Sequence, residues 1–332
     1  MGSILVAILV GMALLILAAI AFYVTLPWTI RPLLRALLWL RYRIRVVGLE
    51  NVPKKRPVLF AANHVSWYDG FFLAATAPRH GKALVSKDLI DRPVVRQLAL
   101  RSGMIPTPFH GSKAIRVAID ATRKVLEQGD AIGIFPEGQI SRNGLTGPFF
   151  RGLELMIKGI PEVAVVPVAI DNVWGSLASY SQGRFFKKWP EGSRRTINMV
   201  YAPEVPPPVT AFKVRQALLI ALVKAYAMRP KPRNLPETID LNLPHWEDPK
   251  LGLLTASAPN LEMPGISQIG NKEGTVGLPV PGVAIRVADD QGSELPPETI
   301  GELEAFVADH QVWTKTGRRG VIHNDGFVAF VE

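Results

Sequence analysis

The sequence predicts an α/β fold: a mostly buried central sheet flanked by helices, preceded by one transmembrane helix and followed by a small β-rich tail. Three observations carry this. Short apolar runs alternate with helix-patterned stretches from residue 42 to about 208, residues 3–26 form an uncharged apolar run, and strand-like alternation returns after residue 250. At 332 residues and 48% apolar content the chain has ample material for a packed core, which excludes a disordered or collagen-like polymer. The 28 glycines and 28 prolines require many turns between elements.

Taken in order, residues 3–26 (SILVAILVGMALLILAAIAFYVTL) would span about 36 Å as a helix at ~1.5 Å per residue, enough to cross a hydrocarbon core. Met1-Gly2-Ser3 supplies no basic n-region, so a retained anchor is expected rather than a cleaved signal. From Arg31 to Arg56 there are eight bases against one acid, Glu50, and this bias places everything from Arg31 onward on the cytoplasmic face of a single-pass protein. Tyr23 and Trp28 suit the headgroup layer at that end. Residues 31–45 (RPLLRALLWLRYRIR) read either as an interfacial helix on anionic lipid or as a solvated topology signal. Their place beside a membrane span favours lipid over nucleic acid as the partner.

Strands are expected at 58–62, 83–86, 104–106, 131–135, 163–170 and 196–201. Residues 112–128 fit a helix with Ser112 as N-cap, one face of Ile115, Ala118, Ile119, Thr122, Val125 and Leu126, and a stop at Gly129. Residues 202–208 (APEVPPP) read as a linker or edge stretch, and 212–228 as a further amphipathic helix. The expected divisions are an anchor at 1–30, a basic interfacial segment at 31–45, an α/β domain at 46–230, a linker at 231–250 and a tail at 251–332. That tail is acidic, with six bases and thirteen acids in residues 242–332 against a whole-chain charge of +10.

The chain has no cysteine, which excludes a disulfide framework, a thiolate nucleophile and a thiolate metal site. His80, His110, His245, His310 and His323 show no ligand spacing, so no metal is expected. His64 is different. It follows the strand at 58–62 in a polar loop, and Asp69 falls five residues later in the first turn of a helix. An Asp there can accept the imidazole Nδ1–H and leave Nε2 as a base, imidazole being the side chain whose ordinary pKa lies nearest neutrality. Alone, the pair reads rather as a loop-capping histidine beside a helix-capping aspartate. Ser66 lacks a nucleophile-elbow context and is expected to be an N-cap. Seventy residues on, Phe135-Pro136-Glu137-Gly138 follows another strand, with Arg142 and Arg151 close behind. Such a turn can bind phosphate through arginine and backbone N–H groups while Glu137 holds a hydroxyl.

Together these residues resemble the glycerolipid acyltransferase family. Asn63-His64-x4-Asp69 is similar to its His-Asp signature and Phe135-Pro136-Glu137-Gly138 to its acceptor-binding signature, while Val85-Ser86-Lys87-Asp88-Leu89 and Val165-Val166-Pro167-Val168 resemble two weaker blocks. The longer runs FPEGQISRNG, FFRGLELM and VAIDNVWGSL resemble the branch fused to an acyl-acyl-carrier-protein synthetase, which reacylates lysophospholipid. The family's arginine after its second block is not matched at Pro106-Thr107-Pro108, so its phosphate contact is expected to be either absent or relocated to Lys113, Arg142 or Arg151. The resemblance implies a membrane-bound O-acyltransferase that needs no cofactor beyond acyl-CoA or acyl-ACP as co-substrate and acts on a lysophospholipid such as 1-acylglycerol-3-phosphate. His64 and Asp69 are its implied catalytic pair, with Asn63, Lys87, Glu137, Gly138, Arg142 and Arg151 on the substrate. Alternatives are reacylation of 2-acyl-glycerophosphoethanolamine alongside a separate synthetase, and a non-catalytic scaffold.

The tail resembles a truncated adenylate-forming ligase, through Leu254-Thr255-Ala256-Ser257, Gly274-Thr275-Val276-Gly277-Leu278-Pro279, Thr316-Gly317-Arg318 and Asp325-Gly326-Phe327. Ala256 stands where that family has a glutamate and Arg318 where it has a ribose-binding aspartate, and the segment for the ligase lysine lies beyond the end of the sequence. No ligation is therefore expected of it, and a stabilising lid is preferred to a docking surface for an acidic carrier protein. Trp174, Trp189 and the Phe185-Phe186-Lys187-Lys188 run suit either a membrane face or ordinary packing.

Overall fold

The computed structural model describes residues 2–108, 112–160, 162–183, 194–230, 235–263 and 266–331. His110 and the 185–189 run lie outside them. The chain runs α1 (Gly2–Arg41), β1 (Tyr42–Val47), β2 (Val58–Ala62), α2 (Asp69–Thr76), β3 (Gly81–Ser86), α3 (Pro93–Arg101), β4 (Met104–Thr107), α4 (Ser112–Glu127), β5 (Ala131–Ile134), α5 (Gly152–Ile157), β6 (Ala164–Asp171), β7 (Arg195–Tyr201) and α6 (Ala211–Ala227). The seven strands form one sheet in the order β1-β7-β6-β2-β5-β3-β4. All neighbouring pairs are parallel except β6 with β7, so the central and right-hand strands present their carboxyl ends at one edge.

The two-residue alternation of the central strand builds both cores. Val58, Phe60 and Ala62 of β2 pack with Phe72 and Leu73 of α2 and with Tyr42 and Met199. Leu59 and Ala61 point the other way, onto Val125 and Leu126 of α4, Leu153 of α5 and Val214 and Leu218 of α6. Burial on both faces explains why these strands read as unbroken apolar runs.

The apolar run and the basic stretch after it form a single helix through Pro27 and Pro32. Among the described residues α1 is the one helix long and apolar enough to cross a membrane, and the most apolar part of it is unburied. The basic stretch ends sooner than expected, because Tyr42 and Arg43 to Val47 form the edge strand β1. Tyr42, Ile44 and Val46 turn toward the sheet core while Arg43 and Arg45 are exposed, a strand period inside what reads as a basic helix. Two of the arginines also have a protein partner. Arg31 Nε donates to the carbonyl of Ala74 (3.2 Å) and Arg35 Nε to that of Ala75 (2.5 Å), placing two cations on the carboxyl end of α2.

Helix α3 packs against α1 within the apolar run. Arg101 donates to the Val24 carbonyl (3.3 Å) and lies over the Tyr23 ring, while Leu89, Val94, Val95 and Leu100 remain exposed beside it.

Beyond residue 245 come β8 (Trp246–Asp248), β9 (Gly252–Ala256), β10 (Leu261–Met263), β11 (Ile266–Gln268), β12 (Leu278–Pro279), β13 (Val283–Ala288), β14 (Gly301–Val307), β15 (Trp313–Ile322) and β16 (Val328–Phe330). They make a β12-β9-β8 sheet, a β10-β11 hairpin and a β13-β14-β15-β16 antiparallel meander. Helix α6 is buried on both sides rather than amphipathic. Val214 and Leu218 face the central sheet, Phe212 enters the core of the carboxyl-terminal strands, and Leu219 and Val223 meet Ala284 and Phe306.

Candidate active site

The loop between β2 and α2 is too short to bury its own backbone polar groups, and Asp69 satisfies them. Its fully buried carboxylate accepts from Val65 N and Ser66 N on Oδ2 (2.7 Å each) and from Ser66 Oγ on Oδ1 (2.6 Å). His64 Nδ1 lies 2.9 Å from the same Oδ2. With three donors already aimed at it, the carboxylate takes Nδ1–H as a fourth, which leaves the lone pair on Nε2. The imidazole stacks on Phe135 with centroids 3.9 Å apart and planes 13° apart, and 17% of the side chain remains accessible. The ring is thus held on one face by Phe135 and at one nitrogen by Asp69.

Ser66 is not the helix cap expected of it. Tyr68 occupies that position, and Ser66 Oγ is spent between Asp69 and the Tyr68 N–H (3.1 Å).

The second loop backs the first. Glu137 is buried and aimed inward: Oε1 accepts from His64 N (2.8 Å) and Oε2 from Gly147 N (2.9 Å). Both oxygens thus brace the protein, each through one backbone N–H. Burial lifts its pKa from 4.5 to about 7, against the pull of the two backbone N–H groups and the positive charge of His64 and Arg215. Gly138 turns with φ +68°, and a Cβ there would press on the Phe150 ring at 3.2 Å. Its role is to let the chain reverse.

Asn63 is likewise structural. Nδ2 donates to Ile170 O (3.0 Å) and Oδ1 accepts from Ile170 N (2.8 Å), pinning β2 to β6 where the strands end. Arg142 adjoins the His64 loop, since Ser141 N donates to His64 O (2.7 Å), and its guanidinium lies 3.3 Å over the Tyr180 ring. Lys87 is exposed just after β3, on the same carboxyl edge of the sheet as His64 and Glu137. Arg151 points into solvent beside Glu154, and Lys113 is exposed on α4. No contact joins Lys87, Lys113 or Arg151 to the His64–Asp69–Glu137 cluster among the described residues. An open apolar groove of about 760 Å³ between α4 and α5 is lined by Ile115, Ile119, Leu155, Arg116, Arg123 and Lys158 and by none of the expected site residues. Trp174 bonds Glu237 through Nε1 (3.2 Å) and so closes against the connecting segment.

Three participants were not singled out by the sequence: Phe135 as the ring's platform, Gly147 as a donor to Glu137, and Arg215 on α6. Arg215 Nε donates to Gly147 O (2.9 Å) and Nη2 to Thr146 O (3.1 Å). Its one signal was a base at 215 inside the 211-214-218-222 apolar stripe of a helix.

A buried sheet carrying an imidazole–carboxylate pair at the carboxyl ends of its strands is the arrangement found, and residues 43–171 match the family model described as acyltransferase. Among curated proteins the chain is similar to a 1-acyl-sn-glycerol-3-phosphate acyltransferase of Borreliella burgdorferi, 32% identical over 43% of this chain and 57% of the relative. It is also similar to a chloroplastic 1-acyl-sn-glycerol-3-phosphate acyltransferase of Arabidopsis thaliana, 24% identical over 43% of this chain and 40% of that one. The chain thus spans about half the length of these relatives. Among solved structures, the 1-acyl-sn-glycerophosphate acyltransferase of Thermotoga maritima overlaps with a TM-score of 0.45 and 21% identity, covering 59% of this chain and 77% of that one.

Proposed function

We propose that the protein transfers an acyl group from a thioester to the free hydroxyl of a lysophospholipid, 1-acylglycerol-3-phosphate being the acceptor that its relatives' names favour. The observation that carries this reading is His64 held by Asp69 with Nε2 left unclaimed at a partly open edge of the sheet. As the acceptor oxygen attacks the thioester carbonyl, its proton passes to Nε2 and the imidazolium charge is matched by the Asp69 carboxylate. The C–S bond then breaks, and the thiolate leaves with the proton that His64 returns. Ser66, fully buried and bonded to Asp69, is not available as a nucleophile, and a thioester is reactive enough for direct transfer.

Arg142, shielded on Tyr180 beside the His64 loop, is the base best placed for the acceptor phosphate. Delivery of a lipid acceptor agrees with α1 as the anchor and with the exposed apolar face of α3 at the same level, the sheet lying on the cytoplasmic side. The carboxyl-terminal strands serve as a lid rather than a ligase. The position expected to bind ribose is Arg318, exposed and stacked over Phe330, and Ala256 is buried in β9.

The test is acylation by the full chain in vesicles, with a panel of lysophospholipids and both acyl-CoA and acyl carrier protein donors, read by mass spectrometry. Wild type forms the diacyl product from lysophosphatidate, and His64→Ala loses at least about a thousandfold in turnover while remaining in the membrane fraction. Wild-type rates in that variant, or no product from any lysolipid, would overturn the reading.

A further inference from the structure

Among the described residues Arg215 is the largest fully buried side chain, and it is a cation on a helix that lies between two cores. It gives two hydrogen bonds to the carbonyls of Thr146 and Gly147, and its Nη1 is buried with no hydrogen-bond partner. What confines it is the carboxyl-terminal module. Gly326, at φ +88°, lies flat against the guanidinium, so that a Cβ at 326 would fall 2.5 Å from Nη2 and nearer still to Cζ. The turn around Gly326 is fixed in place: Lys272 Nζ bonds Asp325 (2.7 Å), and Phe327 is buried with Leu145 and Leu278. The peptide that Nη2 grips through the Thr146 carbonyl is the one whose N–H, that of Gly147, donates to Glu137, and Glu137 in turn holds the His64 N–H. A second bridge joins the same parts, since Gln139 Nε2 donates to Ser267 O (2.8 Å), and Gln268 accepts from Arg142 N (2.7 Å) and donates to Asn143 Oδ1 (3.2 Å).

We propose that the carboxyl-terminal strands complete the acyltransferase site: the turn at 325–327 seats Arg215, a positioning residue, which fixes the Gly147 amide on Glu137 and through it the backbone of His64. The inference rests on the acyl-transfer reading for its catalytic consequence, but the contact chain is testable apart from activity. Groups charged toward Glu137 are His64 from the loop after β2 and Arg215 from α6, with Asp325 facing Arg215 from the tail. Removing the Arg215 charge leaves the Glu137 carboxylate harder to ionise, which moves the acid limb of the rate profile upward in pH.

The experiment compares full-length Gly326→Ala with Gly292→Ala. Both glycines have left-handed backbone, φ +88° and +81°, but at 292 nothing lies within 4 Å of an added Cβ. The two variants therefore share the conformational cost, and only the first displaces the guanidinium. Amide exchange by mass spectrometry is expected to quicken at least about tenfold in peptides covering 137–147 and 64–66 for Gly326→Ala, with the β6 peptide unchanged, and at neither site for Gly292→Ala. Turnover falls about tenfold to a hundredfold with KM steady in Gly326→Ala alone. Arg215→Met raises the acid limb, whereas Arg215→Lys, which keeps the charge, leaves it in place. Equal exchange and equal turnover in the two glycine variants, or an unmoved limb in Arg215→Met, overturns the proposal. If wild type acylates no lysolipid, the acyl-transfer reading falls, and the exchange comparison still decides whether the tail fixes this loop.

Discussion

Replacing Asp69 by Asn and by Ala separates its two duties, because each substitution removes a different part of its bonding. The carboxylate serves two buried backbone N–H groups, one hydroxyl and the His64 ring. An Asn with its amide oxygen in the Oδ2 position keeps the three N–H contacts there, and its NH2 group turns to Ser66 Oγ, which can accept. The fold survives this. What is lost is the negative charge opposite the imidazolium that the proposed transfer forms. At ~4 Å between charge centres and an effective dielectric of about 20 that pairing is worth ~4 kcal/mol, part of which the amide dipole retains. A loss of 2.7–4 kcal/mol corresponds to a fall of about 10²–10³ in turnover at ~1.36 kcal/mol per decade. Asp69→Ala instead strands the two N–H groups and the hydroxyl without acceptors, at ~1–3 kcal/mol each, a total of roughly 3–9 kcal/mol against a domain stability of about 5–15. Circular-dichroism melting with initial acylation rates in vesicles distinguishes the pair: Asn gives a near-native melt and a crippled rate, Ala a collapsed melt. Turnover above a tenth of wild type in Asp69→Asn would show that the carboxylate does not carry the imidazolium charge.

Three further outcomes are expected. Asn63→Ala, which orphans both backbone groups of Ile170, lowers the melting temperature by about 5 °C or more while KM for the lysolipid stays within twofold; a tenfold rise in KM would restore Asn63 as a substrate ligand. Glu137, lifted by burial from 4.5 to about 7, favours its protonated form in the fold, so its contribution to stability is full below pH 4.5 and is lost as pH rises through 7. The melting temperature of wild type thus falls across that window relative to Glu137→Gln, and parallel curves would refute the assignment. Since the chain has no cysteine, a nitroxide placed by Val94→Cys reports one site on α3; in vesicles dissolved oxygen relaxes it more than a water-soluble nickel complex does, and the reverse order would put α3 in water.

What the sequence discloses depends on how local the determining pattern is. The central strands β2, β5 and β6 lie within two residues of their expected positions, because burial on both faces leaves an apolar run that nothing else in the chain imitates. The His64–Asp69 contact was legible for a similar reason, as both groups sit on one short loop. Strand β1 was not, since Arg43 and Arg45 on its exposed side continue the basic composition of the helix before it. The bracing by Glu137 was not legible, because the turn that displays it in sequence folds its carboxylate inward, toward an amide ten residues on. Arg215 had no local motif at all: its bonds reach back 68 residues and its confinement comes from a glycine on the far side of the chain.

These long-range contacts explain how so short an element can carry a base. Helix α2 has eight residues, fewer than a helix needs to persist on its own propensity, so its ends must be fixed from outside. At its amino end Asp69 gathers the loop donors. At its carboxyl end Arg31 and Arg35 of α1 supply the cations that its exposed carbonyls favour. Helix α1 therefore terminates the very helix that begins with the Asp69 carboxylate, while Glu137 fixes the other end of the His64 loop and Arg215 fixes Glu137. The imidazole is located by three parts of the chain that are remote in sequence, and a displacement of either α1 or the carboxyl-terminal strands reaches it through hydrogen-bonded backbone rather than through side-chain packing. A lipid-borne substrate presented at the level of α3 would then meet a base whose position relative to the bilayer is set by α1 itself.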